Sequence, residues 1–469
     1  MRPLEITISA LLGIYLLWKH PRPTIIRLAP AAALVVTLIH FGVEGYRWQM
    51  IPLYMLSALL AISALTMILS TRDFNPLASY LALRLVQGGA VILLAVSTAL
   101  PILLPVPRIP RPIGSYPVGT TSFRLVDESR RELYSGRDEP RKFVVQMWYP
   151  AEPRREDKPA PWMVNSEIFA PAIATYLEMP SFFLDHLSLV KTPAYVDALI
   201  AEQEDGFPVI VFSHGWNGFE AQNTAQAIEL ASHGYVVVAL NHPYGAMVTV
   251  FPDGQVAHNN PSALPEGAPN DEYEIAARKL VDQWAGDIAY TLDILGMRNG
   301  DIRGSYFSAF DFSRIGAFGH STGGGAAIEF CGRDPRCKAV AGLDPFMRPV
   351  SLGVLENGLS QPAFFMFSQV WSDDTDSRNN QLFFPFYEKA QQPLGVLAIQ
   401  GTRHYDFTDL PMLSPIAPQL GLKGPINGRE MVQIMNSYLL AFFDQTLRGK
   451  SSELLSSPSP EFPEVKIVQ

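Results

Sequence analysis

Ala317-Phe318-Gly319-His320-Ser321-Thr322-Gly323-Gly324-Gly325 sets a serine in a G-x-S-x-G frame, between an apolar run and a run of small residues. This reads as a sharp turn between a strand and a helix. Arg314–Phe318 is the predicted buried strand and Thr322–Phe330 the predicted helix. Gly319 and Gly323 remove the side chains that would clash across so tight a turn, and Ser321 is left at its tip, at the positive end of the new helix. A plain Gly-rich turn is the alternative; the strand and helix on either side favour a nucleophile.

Around this turn the chain alternates strands and helices. Predicted strands are Phe123–Val126, Phe143–Trp148, Phe207–Ser213, Tyr235–Leu240, Lys338–Leu343, Ala363–Phe367 and Leu394–Ile399. Predicted helices include Gln222–Ser232, Asp271–Leu295 and Met431–Leu447. Such alternation implies a mostly parallel sheet with helices on both faces, reactive groups gathering at the carboxyl ends of its strands. Residues 157–205 interrupt the pattern with apolar, aromatic-rich helices, read as a cap-like insertion that either packs or gates. Residues 451–469, rich in Ser and Pro, read as a loose tail.

The first 107 residues differ in kind. Up to residue 112 there are nine Lys/Arg and three Asp/Glu, leaving 27 and 42 of the chain's 36 and 45 for the remainder. Four apolar stretches, about 4–18, 25–43, 51–70 and 85–104, read as an N-terminal bundle of about four transmembrane helices, the first of them short. Trp18, Tyr46, Trp48 and Tyr54 sit near their ends, where the headgroup layer favours aromatic rings. Counting Lys19, Arg22, Arg27, Arg72 and Arg84 inside, against Arg2, Arg47, Arg108 and Arg111 outside, gives five against four, a bias towards an exported soluble part on the outer face of the membrane. The net acidic remainder argues against nucleic acid as a partner. Cys331 and Cys337, the two cysteines of the chain, flank a predicted turn. A disulfide there fits an oxidising compartment; two small buried thiols are the alternative. Two thiolates with no nearby histidine do not make a metal site.

A serine hydroxyl needs a histidine to take its proton and a carboxylate to hold that histidine. In hydrolases with this elbow the chain order is Ser, acid, His. Of nine histidines, His20 and His40 lie in the apolar segment, and His186, His214, His233, His242 and His258 precede the serine. His320 adjoins it. His404 alone follows, just after the last strand. For the acid, Asp344 ends the strand after the elbow helix. Asp373 and Asp374 follow the next strand, and Asp406 and Asp409 lie near His404; Asp344 is favoured for its place beside the serine. The backbone N–H groups of Thr322 and Trp216 are the candidate oxyanion donors. Phe219 and Phe346 are candidate pocket residues, with ordinary apolar packing as the other reading.

Val144-Val145-Gln146-Met147-Trp148-Tyr149-Pro150, Phe207-Pro208-Val209-Ile210-Val211-Phe212-Ser213-His214-Gly215, Ser232-His233-Gly234-Tyr235, Gly319-His320-Ser321-Thr322-Gly323-Gly324 and Gly342-Leu343-Asp344 together resemble the plasma-type platelet-activating factor acetylhydrolases and their bacterial relatives. The resemblance spans about residues 115–450. It implies an α/β-hydrolase fold, and strengthens Asp344 over Asp373 and Trp216 as a donor. It also implies calcium-independent hydrolysis of short or oxidised acyl chains from phospholipids, or of simpler esters, with no cofactor. The N-terminal spans have no counterpart in the secreted enzymes, and the Thr-Gly-Gly-Gly turn also resembles cutinase-type polyester hydrolases. The expectation is a membrane-anchored serine esterase acting on a small ester or phospholipid through an acyl-serine. Acyl transfer to a lipid or glycan acceptor, and a non-catalytic hydrolase-like scaffold, are the rival readings. No oligomeric state follows from the sequence.

Overall fold

The computed structural model describes residues 1–19, 21–69, 76–301 and 309–468, and the chain divides into two compact units. His20, Ser70 and Arg72 lie outside the described residues. The first unit is Met1–Pro107 with the short segments Asp185–Leu189 and Leu413–Ile416. Its helices are Pro3–Leu17, Ala29–Val43, Ile51–Leu69 and Pro76–Leu103. They pack through Ile8, Leu12, Ala33, Met50 and Leu53, all fully buried. Inside them the Arg47 guanidinium donates to both carboxylate oxygens of Glu5, at 2.8 and 2.6 Å, and to Leu104 O at 2.9 Å.

Four spans were expected. Among the described residues, two stretches, Trp48–Met67 and Arg84–Leu103, are long and apolar enough to cross a membrane. The other two helices are apolar but 15 residues each, about 22 Å of helix against a hydrocarbon core of about 30 Å. The expected span 25–43 is split: a four-residue helix, Thr24–Arg27, precedes Ala29–Val43, with Pro30 in the first turn of the latter.

The second unit holds the sheet. Its main strands are β1 (Val118–Arg131), β2 (Pro140–Glu152), β3 (Phe207–Ser213), β4 (Val236–Asn241), β5 (Phe310–His320), β6 (Cys337–Leu343), β7 (Pro362–Ser368) and β8 (Gln392–Ile399). They lie in the order β1-β2-β4-β3-β5-β6-β7-β8. β2 is antiparallel to β1 and β4, and from β4 onward the strands are parallel. The alternation predicted a mostly parallel sheet; the sheet is parallel from β4 to β8 and antiparallel where β2 meets β1 and β4. Every residue of β3 and β4 is buried, as strands covered on both faces require.

Successive residues of β5 show both coverings. Phe318 packs on Phe443 of helix Gly428–Arg448, ring centres 6.3 Å apart. Ala317 belongs to the core shared with Trp284 and Ile288 of helix Asn270–Asp301 and Ala326 of helix Thr322–Arg333. Alternate side chains point to opposite faces, so helices cover both.

Two expectations need correction. Residues 157–205 are not simply helical. Ser166–Tyr176 is an α-helix, but Lys191–Val196 pairs parallel to β1 and Pro159–Pro161 pairs with Lys191–Val196, extending the sheet. The tail is not loose. Val465–Ile467 adds an antiparallel edge strand to β8, held by buried Phe462 and Val465. In both places neighbouring backbone supplies hydrogen bonds that local composition does not announce.

Candidate active site

At the end of β5 the chain turns so sharply that a Cβ on Gly319 would lie 2.2 Å from Gly323 O, and one on Gly323 would lie 2.1 Å from Ser213 O. No side chain fits at either position. Between them Ser321 takes φ = +53°, a conformation that non-glycine residues rarely hold. Backbone bonds keep it there: Ser321 N–H donates to Leu343 O at 3.0 Å, and Ser321 O accepts from Gly325 N at 3.1 Å and Phe346 N at 2.9 Å.

Asp344 follows β6 directly and is fully buried. Ser368, at the end of β7, donates to its carboxylate through both the backbone N–H (2.7 Å) and Oγ (2.6 Å). His404, on the loop after β8, donates from Nδ1 to Asp344 Oδ2 at 3.0 Å. Burial pushes the Asp344 carboxyl well above its usual range, against the two Ser368 bonds that pull it down. Burial also holds the His404 imidazole below its ordinary value, and so neutral near pH 7, although 24% of the side chain remains exposed. With Nδ1–H committed to Asp344, Nε2 is the atom left to accept a proton. The rival acids are elsewhere engaged. Asp373 and Asp374 are exposed. Asp406 accepts from Arg403 N and Gly424 N, and Asp409 accepts from Ala225 N.

Ser321, Thr322, Trp216 and His404 line one cavity of about 280 Å³. The loop after β3 passes close enough that a Cβ on Gly215 would lie 3.2 Å from Ser321 Cβ, so the Gly215–Trp216 peptide sits beside the serine. Among the described residues, the Trp216 N–H meets no protein acceptor. Phe219 and Phe346 line the same cavity, as do Trp162, Ile173, Tyr176 and Leu177 from the insertion. Glu266 is a lining residue, and the described lining contains no lysine or arginine. Cys331 and Cys337 form a disulfide joining the end of helix Thr322–Arg333 to the start of β6.

Residues 104–453 match the model of the family described as platelet-activating factor acetylhydrolase, isoform II. The chain belongs to this family. A platelet-activating factor acetylhydrolase from Cavia porcellus is 29% identical over 363 residues, covering 72% of this chain and 78% of the relative. A probable 1-alkyl-2-acetylglycerophosphocholine esterase from Arthroderma benhamiae is 25% identical over 401 residues, covering 76% and 92%. Among solved structures, a ferulic acid esterase from Streptomyces cinnamoneus superposes with a TM-score of 0.64 at 26% identity, over 78% of this chain and all of the esterase. The chain is thus a carboxylic-ester hydrolase.

Three features of this hydrolase's site escaped the sequence reading. The indole of Trp371 stacks flat on the His404 imidazole, centres 4.6 Å apart and planes at 9°. His320 had been set aside, yet its Nε2 donates to His404 O at 3.1 Å while its Nδ1 accepts from Gln222 Nε2 at 3.1 Å. That chain ties the histidine loop to the elbow. A second Ser-His-Asp series also lies in this unit. Ser213 Oγ meets His242 Nε2 at 3.0 Å, and His242 Nδ1 meets Asp287 Oδ2 at 2.9 Å. All three are fully buried and none lines the cavity. Ser213-His214 at the end of one apolar run and Asn241-His242 at the end of the next were the signal available in the sequence. Strand ends gather in space, but nothing local says which of them meet.

Proposed function

We propose that the protein is a serine esterase anchored to a membrane, cleaving short-chain acyl esters or phospholipid acyl groups. Ser321 Oγ attacks the ester carbonyl carbon as its proton passes to His404 Nε2. The oxyanion is held by the N–H groups of Thr322 and Trp216, each such donor being worth about 3 kcal/mol in related chemistry. The intermediate then expels the alcohol, which takes the proton from His404, and leaves acyl-Ser321. Water, deprotonated by His404, releases the acid and restores the serine. Asp344 holds the Nδ1–H tautomer and stabilises the imidazolium. The observation that carries this reading is the 3.0 Å bond between His404 and Asp344, with His404 and Ser321 lining one cavity.

The direct test is Ser321→Ala, assayed on p-nitrophenyl acetate and with a fluorophosphonate probe. Hydrolysis should fall about a million-fold, and labelling should vanish. Unchanged esterase activity would sink the scheme. Product analysis with added alcohols separates hydrolysis from acyl transfer: a transferase makes the new ester in preference to free acid.

A second substrate reading, an aromatic ester, is favoured by the lining: Trp162, Tyr176, Trp216, Phe219, Phe346 and Trp371 are aromatic, and no cation is present among the described lining residues to meet a phosphate. The ferulic acid esterase likeness points the same way. Rates on methyl ferulate and on an acetylated ether phospholipid decide between the two.

Anchoring is supported by the two long apolar helices, whose windows are only 33% and 11% buried, unlike the core helices of a soluble protein. The disulfide supports placing the hydrolase unit on the outer face. Retention in the pellet after alkaline carbonate extraction, and protease sensitivity of intact cells, test these two points.

A further inference from the structure

His214 occupies the position just before the Gly215–Trp216 peptide and is fully buried. Both of its ring nitrogens are committed. The His242 backbone N–H donates to Nε2 at 3.1 Å. A backbone N–H can only donate, so Nε2 must accept, and in the neutral ring the proton sits on Nδ1. Nδ1–H donates to Gly215 O at 2.7 Å. Burial, with His242 beside it, holds the imidazole well below its ordinary value and so keeps it neutral.

In a trans peptide the carbonyl and the following N–H point in opposite directions. A donor fixed on Gly215 O therefore fixes the direction of the Trp216 N–H and, through the polarised amide, strengthens it as a donor. We propose that His214 is a positioning residue for the oxyanion site, a neutral strut that aims the Trp216 N–H at the reacting carbonyl.

This gives the sealed series a purpose. His242, which anchors the strut, is pinned by Ser213 and Asp287 and stacks on Trp284 with ring centres 4.3 Å apart and planes at 8°. Asp287 is in turn gripped by Arg141. The strut thus leans on a buried polar cluster whose members are bonded to one another. Gly218 N–H also donates to Gly215 O, at 2.8 Å, so removing His214 weakens the aim of the peptide without releasing it.

The inference rests on the serine-esterase reading and on Trp216 as a donor. Its test compares two near-isosteric variants of the full-length protein. His214→Asn places an amide N–H near the Nδ1 position and keeps the bond to Gly215 O. His214→Gln reaches the Nε2 position and keeps the partner of His242 N–H instead. Active sites are counted by fluorophosphonate titration, so loss of folded protein does not enter the rate. Per titrated site, His214→Gln should lose about tenfold to a hundredfold in kcat. KM for p-nitrophenyl acetate should hardly change, and a trifluoromethyl ketone, which forms a tetrahedral adduct on the serine, should bind more weakly in proportion. His214→Asn should recover most of both.

A glutamine variant as fast per site as the asparagine variant, or a loss confined to KM with ketone binding intact, overturns the inference and leaves the esterase reading standing. Failure of the parent protein to label at Ser321 overturns both.

Discussion

Ser321-His404-Asp344 and Ser213-His242-Asp287 use the same three side chains within one unit, and they differ in what surrounds them. In the first, the histidine lines a cavity, and the acid accepts two hydrogen bonds from Ser368 and one from His404, with no arginine or lysine paired to it among the described residues. In the second, serine, histidine and acid are all sealed, and Asp287 is paired with both Arg141 and Arg130. Although burial opposes it, Arg141 holds the Asp287 carboxyl far below its usual range, so this acid is shared between arginines and the histidine it also binds. The lesson is that residue types and hydrogen bonds do not make a catalytic triad. What sets the proposed triad apart is access to a cavity and a serine held on a strained turn.

The largest expected contrast is in the serines. Ser321→Ala should lose about a million-fold in turnover, and mass spectrometry of the fluorophosphonate-treated variant should find no label on Ser213. Label on Ser213 would erase the distinction. Next come the acids. Asp344→Asn should lower kcat about ten-thousand-fold by favouring the wrong histidine tautomer, with little change in melting temperature. Asp287→Ala should do the reverse, costing about 3 kcal/mol of stability in a denaturant titration, because it removes one of the two carboxylates that compensate buried Arg141 and leaves His242 without its acceptor. Similar stability losses for both variants would show the acids to be equivalent.

A smaller effect is expected at the stacked indole. Trp371→Ala should cost about 1 kcal/mol, near fivefold in kcat, by loosening the imidazole, and an unchanged kcat would make the stack incidental. The mildest is a matter of pH. His404 must be neutral to accept the proton, and burial lowers its pKa from 6.5. The acid limb of kcat/KM should therefore lie below pH 6.5, and a limb at or above that value would mean that the Asp344 charge outweighs burial.

The elbow was legible because its G-x-S-x-G spacing marks a tight turn along the chain, where Gly319 is demanded by Gly323 four residues on; that Gly323 is also demanded by Ser213 on the adjoining strand is a tertiary fact. His404 was legible by elimination, since chain order leaves one candidate. Asp344 was favoured from its place at a strand end, and the structure brings it to His404 while leaving Asp373 exposed. Trp371 and the His320–His404 contact were not legible, because they join residues on different strand ends with no shared spacing. The apolar runs of the first unit suggested four crossings; helix length reduced the clear candidates to two.

By itself the sequence determined what depends on neighbours along the chain: the turn at Ser321, the alternation of strands and helices, and the apolar character of the first hundred residues. Tertiary structure alone decided which strand ends lie side by side, and with them which histidine faces a cavity and which is entombed. It also recruited Val465–Ile467 and Lys191–Val196 into the sheet. The reason is physical. Local conformation is set by sterics and hydrogen bonds within a few residues, whereas burial and pairing are set by whatever the completed sheet brings alongside.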